Sequence, residues 1–252
     1  MNMNNKNWVS VWGNAVSIAE HHPEAYAKYI PFDGDTLRFT FDNFCGSEAV
    51  TVTRATVSAA TSPVYEKMPL ACPCKKETIC DITFSKNESV TMEAHQTAVS
   101  DPVSFPVKKG MTLTVSLYFA DFTLMQSAVL VTGPLSKGFF SLGDQTHADA
   151  LPMDTTKTTN WFYFLSNIEL MTAEENHTVI CYGDSITAGA WPDYLTLLAR
   201  QNPDNHTAFI RRATSGSRVL RQYECITYDS YGLKGTNRFP HEIPTTGADT
   251  VI

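Results

Sequence analysis

Apolar and polar residues alternate along three stretches of this chain. Thr36-Leu-Arg-Phe-Thr-Phe41 is the clearest, and Ala49–Val57 and Leu113–Phe119 repeat the pattern. A period of two predicts strands with one face buried and the other polar. Turn-forming clusters break the runs at Asp33-Gly34-Asp35, Cys45-Gly46-Ser47 and Lys108-Lys109-Gly110. Many strands with few helical patterns predict a β-sandwich, jelly-roll-like, over residues 1–172. Asn14–Tyr29 is the one early stretch compatible with a helix, although His21-His22-Pro23 interrupts it.

The pattern changes from His177. The apolar run through Val179-Ile180-Cys181 ends on Gly183-Asp184-Ser185, and a helical pattern follows with Trp191, Tyr194, Leu195, Leu197 and Leu198. A strand over Thr207–Arg212 comes next, then a weakly helical stretch, then Thr250-Val251-Ile252 opening another strand. Strand, helix and strand in this order predict the first half of a parallel α/β sheet over residues 173–252, a three-layer α/β/α arrangement of flavodoxin-like type. Thr172–His177 reads as the linker between the two units. The expected fold class is therefore all-β followed by α/β.

Composition narrows the partners. The 252 residues are 43% hydrophobic and 18% charged, with a net charge of −7. That is the profile of a globular chain. The acidic balance argues against nucleic acid and anionic membrane, both of which call for a basic patch. No apolar run is long enough to span a bilayer. The polar start, Met1–Asn7, lacks a signal-peptide pattern, which gives a cytoplasmic expectation unless a signal has been removed. Six cysteines are scattered along the chain. Cys181 falls in a predicted buried strand. Cys72, Cys74 and Cys80 form the one cluster, but three ligands with a C-P-C spacing fit zinc poorly, leaving free thiols or a local disulfide.

The strand-to-helix turn at Gly183-Asp184-Ser185 carries the chemistry. A serine there holds its Oγ out of the sheet, beside the free N–H groups that start a helix, which suits a nucleophile and an oxyanion. One β-α-β step later, Thr214-Ser-Gly-Ser-Arg218 follows the strand through Phe209-Ile210. The C-terminal loops of adjacent parallel strands lie side by side, so Gly216 is expected next to Ser185. Gly183 and Asp184 are expected to support the turn, with the Asp184 carboxylate accepting backbone N–H bonds. Two histidines follow Ser185. His206 is expected at the far edge of the sheet from the site, and His241 is expected to be exposed. Asp144-Gln-Thr-His147 matches an Asp-x-x-His spacing but lies upstream, in the β part. Trp8, Trp12 and Trp161 offer either a sugar platform or packing.

Cys181-Tyr-Gly-Asp-Ser-Ile-Thr-Ala-Gly189 resembles the first block of the SGNH, or GDSL, hydrolases, and Thr214–Arg218 resembles their second. Ser100–Val107 with Leu113–Tyr118 is similar to the β-sandwich that precedes the hydrolase domain in one bacterial branch of that family. The resemblance implies an ester hydrolase that needs no metal or cofactor. Ser185 would be the nucleophile, with the N–H groups of Ser185 and Gly216 forming the oxyanion hole. The substrate would be a small-molecule or carbohydrate ester. The family's G-x-N-D and D-x-x-H blocks, which carry the third oxyanion donor and the base, do not occur between Ser185 and Ile252. The expectation is that these 252 residues alone turn over poorly, and that another subunit or a further segment covers the open sheet edge. The competing expectation is a non-catalytic carbohydrate-binding protein.

Overall fold

A computed structural model describes residues 6–18, 25–64, 69–222 and 232–252. The strands of the first third are β1 (Lys6–Gly13), β2 (Ser17–Ile18), β3 (Ala25–Tyr29), β4 (Gly34–Asp42), β5 (Val50–Val52) and β6 (Arg54–Ala59). Next come β7 (Cys80–Ile82), β8 (Val90–Met92), β9 (Thr97–Val99), β10 (Val103–Val107), β11 (Thr112–Tyr118), β12 (Ser127–Leu130) and β13 (Ser136–Phe140). The chain continues with β14 (Lys157–Thr159), β15 (Trp161–Tyr163), β16 (Leu165–Ala173) and β17 (His177–Gly183). Last are α1 (Ser185–Ala188), α2 (Trp191–Ala199), β18 (Thr207–Ala213), α3 (Gly235–Glu242) and β19 (Ala248–Val251).

Two antiparallel sheets enclose the main core. One runs β1-β16-β4-β10, with β9 also on β4, and the other runs β14-β13-β3-β11-β6-β7. Alternation decides which side chains meet between them. Leu37, Phe39 and Phe41 of β4 face Val57 of β6 and Leu113 and Val115 of β11 in one apolar cluster. The opposite face of β4 carries Arg38, Thr40 and Asp42. A chain that is mostly strand, with few helices, thus matches the β-rich reading of the sequence.

Two local expectations fail. Asn14–Tyr29 is not a helix: Ser17–Ile18 and Ala25–Tyr29 are strands, and His21, His22 and Pro23 lie outside the described residues. Pairing overrides propensity here, because β3 is hydrogen-bonded to β11 on one side and β13 on the other. The alternating run Ala49–Val57 is also two strands. β5 pairs with β8, whereas β6 pairs with β11. Thr53 makes the corner between them, its N–H donating to Tyr118 O (2.9 Å) and its Oγ1 accepting from Ala120 N (2.9 Å).

β16 leads almost directly into β17, through a turn in which Asn176 N donates to Ala173 O (3.1 Å). The stretch read as a linker is therefore a tight turn at residues 174–176 between two strand ends. From here the sheet is parallel, in the order β18-β17-β19. It lies against the polar outer face of the sheet containing β1, β16 and β4. Thr178 Oγ1 donates to Ser10 O (2.7 Å), and Ser10 N donates to Thr246 O (3.0 Å).

Two adjacent arginines of β18 fasten the parallel sheet on both sides, since successive strand side chains point to opposite faces. Arg211 Nη2 donates to Asp193 Oδ1 (2.8 Å) and Gly189 O (3.1 Å), holding α1 and α2. Arg212 Nη1 donates to Asn14 O and Ser166 O (both 2.7 Å), and its Nη2 donates to Asn167 Oδ1 (3.2 Å). Burial pulls the Arg212 pKa below the ordinary arginine value, against the opposing charges of Glu242, Asp42 and Glu169. Replacing Arg212 by Met takes this donor from the buried Asn14 carbonyl and Asn167 Oδ1, while Ser166 O keeps its bond from Asn14 N. We expect Arg212→Met to lower the unfolding free energy by at least about 2 kcal/mol, measured by urea denaturation; an unchanged midpoint would contradict this role.

Candidate functional site

The two glycine-containing loops leave neighbouring strands at the same end of the parallel sheet. Gly183 of β17 is in register with Ala213 of β18, and Thr214 N donates to Gly183 O (3.2 Å). Gly183 permits a close approach: a Cβ there would lie 2.4 Å from Thr187 Oγ1. Gly216 has φ +74°, a left-handed conformation that suits glycine, in a turn where Ser217 N donates to Thr214 O (3.3 Å).

Asp184 caps α1, its Oδ1 accepting from Ile186 N (2.9 Å). Ser185 is the first residue of that helix and is exposed to solvent. Among the described residues, no histidine is hydrogen-bonded to its Oγ. Ser185 is thus solvent-exposed just after Gly183, the residue whose carbonyl pairs with Thr214 N, and among the described residues no proton acceptor is bonded to its hydroxyl.

Arg238, which the sequence reading passed over, holds the two loops together. It is 1% exposed. Its Nη1 donates to Gly183 O (3.1 Å) and Ser217 Oγ (2.7 Å), and its Nη2 donates to Arg212 O (2.9 Å). Glu242, one helical turn later, accepts from Arg238 Nε (2.9 Å) and Nη2 (2.8 Å). The guanidinium also lies 4.9 Å from the centre of the Tyr182 ring. Burial pushes the Glu242 carboxyl above the ordinary carboxylate range, with Arg238 pulling the other way. The only local signal was an Arg-x-x-x-Glu spacing, which ordinarily marks an exposed helix pair.

His241 was expected to be exposed and is instead half-buried. Its ring stacks on Phe44 at 3.9 Å between centroids, and its Nε2 donates to Asp42 Oδ2 (2.7 Å). Burial alone would lower its pKa, but the hydrogen bond and charge of Asp42 outweigh that, and the net direction is upward. The cleft that His241 lines is not lined by Ser185 or Gly216. His206 lies just before β18 and bonds Asn176 Oδ1 through Nδ1 (3.0 Å), at the opposite end of the strand from the Gly183 and Thr214 loops. Asp144 and His147 do not pair with each other: Asp144 binds Arg54 (2.6 Å), and His147 binds Asp81 (3.0 Å).

The tryptophans pack. Trp12 is buried with its Nε1 donating to Ser136 Oγ (3.1 Å), Trp8 lies under the Arg38 guanidinium at 4.6 Å, and Trp161 is partly buried against the core. Cys72, Cys74 and Cys80 form no disulfide, and burial pushes the Cys72 thiol up to about 12. Cys181 likewise forms no disulfide and is fully buried. No group of three or more metal-ligating side chains occurs among the described residues. No described helix is long and apolar enough to cross a membrane.

No family model matches the chain, and no curated protein matches it. Among solved structures, an active-site mutant of a family two carbohydrate esterase from Clostridium thermocellum aligns at 12% identity and a TM-score of 0.24. That alignment covers 95% of this chain and 59% of the other. A family two carbohydrate esterase from Cellvibrio japonicus aligns at 10% identity and a TM-score of 0.18, covering 86% of this chain and 55% of the other. The chain thus spans under two thirds of either neighbour, and likeness at these scores carries no weight for fold or activity.

Two outcomes test this geometry. Arg238→Met leaves Glu242 buried without its partner, and we expect a loss of about 3–5 kcal/mol in chemical denaturation. For His241, a folded pKa raised above its unfolded value of about 6.5 stabilises the fold fully below that pH. The contribution is lost as pH rises through the folded pKa. The melting temperature should therefore fall over that window in the wild type, with the fall flattened in His241→Gln.

Proposed function

We propose that the chain carries the nucleophile, Ser185, of a serine ester hydrolase of the SGNH type. The observation that supports this most is the hydrogen-bonded pairing of the Gly183-Asp184-Ser185 loop with the Thr214–Ser217 turn. Thr214 N donates to Gly183 O, Ser185 is exposed, and Gly216 has the left-handed conformation, which supports this reading. In this reading Ser185 Oγ attacks an ester carbonyl, its proton passes to a base, the alcohol departs, and an acyl-enzyme remains for water to hydrolyse. The N–H groups of Ser185 and Gly216 hold the oxyanion. Gly183 and Asp184 keep the turn tight. The substrate class, an acylated carbohydrate or other short-chain ester, comes from the sequence resemblance alone. None of these steps calls for a metal or cofactor.

One observation favours a second, non-catalytic reading: no described histidine bonds Ser185. A fluorophosphonate probe separates the two, because it labels only an activated serine. Under the esterase reading, peptide mass spectrometry finds the adduct on Ser185, Ser185→Ala is unlabelled, and release of p-nitrophenol from p-nitrophenyl acetate drops to the buffer rate in that variant. A wild-type chain that neither labels nor exceeds buffer hydrolysis overturns catalysis at Ser185 by these 252 residues.

A further inference from the structure

A second site lies away from Ser185. The polar outer face of the sandwich sheet and the segment from His241 to Thr246 enclose a cleft of about 390 Å³, within the usual size range of small-ligand pockets. β4 supplies Arg38, Thr40 and Asp42, and the strand pleat turns them all to this side. Asn14, Asn167 and Arg212 also line it.

The charges that line the cleft are matched. Arg38 is paired with Glu169, His241 with Asp42, and Glu242 with Arg238. An anion entering here meets three carboxylates, and a cation meets two guanidinium groups. A neutral polar molecule meets neither penalty and finds donors and acceptors around it.

The floor of the cleft is unsatisfied. Asn14 is 1% exposed, yet both Oδ1 and Nδ2 lack a hydrogen-bond partner, and so does Arg212 Nε. Buried amides without partners are uncommon and destabilising, so each calls for a reason. A side-chain amide offers a donor and an acceptor side by side, which complements a pair of adjacent hydroxyls.

We propose that this cleft binds a neutral, hydroxyl-rich ligand, a sugar residue, which completes the hydrogen bonds of Asn14 and Arg212 at its floor. The site stands independently of catalysis at Ser185, which does not line it. Thr40, Thr97, Thr245 and Thr246 supply further hydroxyls along the walls.

The test is an NMR titration of the ¹⁵N-labelled full chain with xylose, glucose, galactose and cellobiose, with glucuronate and glucosamine as charged comparators. At least one neutral sugar should shift the Asn14 side-chain amide resonances saturably and more tightly than either charged sugar. Asn14→Ala should weaken that binding at least about tenfold, while its melting temperature without sugar holds or rises, because an orphaned amide has gone. Thr97→Trp, at the exposed rim, should weaken binding by obstruction and leave the floor intact. Ser185→Ala should bind as the wild type does, so a failed esterase reading leaves this result untouched. The proposal is overturned if no neutral sugar binds into the millimolar range, leaving a water-filled cleft. It is also overturned if a charged sugar binds best, or if neither Asn14→Ala nor Thr97→Trp weakens binding.

Discussion

A single buried guanidinium, that of Arg212, decides how the two kinds of sheet meet. Among the described residues it has no carboxylate in direct contact, and it spreads its charge over Asn14 O, Ser166 O and Asn167 Oδ1. Burying such a charge is costly unless its hydrogens are bonded. The sheet beneath must therefore turn polar atoms outward, which an alternating strand such as β4 or β16 does as a matter of course. The same pleat that drives Phe39 and Phe41 into the sandwich core leaves a hydrophilic outer face for the parallel sheet to rest on. Directional bonds hold the junction, and a cleft lies along one side of it.

Arg238 repeats the device on a smaller scale. It gathers the carbonyls of Gly183 and Arg212 and the hydroxyl of Ser217, so the loops after β17 and β18 are tied to α3 as well as to each other. Glu242 balances the charge. Ion pairs of this kind add little net stability over apolar packing of the same shape, but they are demanding about geometry. Here the geometry is that of the loop carrying Ser185.

How much of this was legible in the sequence depends on range. The pleat pattern of β4 and β11 and the strand-turn-helix at 177–199 are local, and they could be read directly. Ala49–Val57 looked continuous because alternation does not say which neighbour a strand pairs with, and the corner at Thr53 is made by Tyr118 and Ala120. The surroundings of Arg212 and His241 were invisible for the same reason. Arg212 bonds Asn14, and His241 bonds Asp42, across almost the whole chain. A polar residue on a strand or a short helix reads as solvent-facing unless something covers it, and here the cover comes from the other end of the sequence.

That separation has a kinetic side. β1 pairs with β16, Trp8 opposite Met171, so β1 leaves the ribosome long before its partner strand has been made. At about 5–20 residues per second, the wait is on the order of ten seconds. Throughout it, a segment containing Trp8, Val9, Val11 and Trp12 is exposed with its edge unpaired. Closing a sheet over so long a loop is slow, and the parallel strands rest on that sheet. The nascent chain, more than the finished fold, is where this protein is most open to aggregation and most dependent on chaperones.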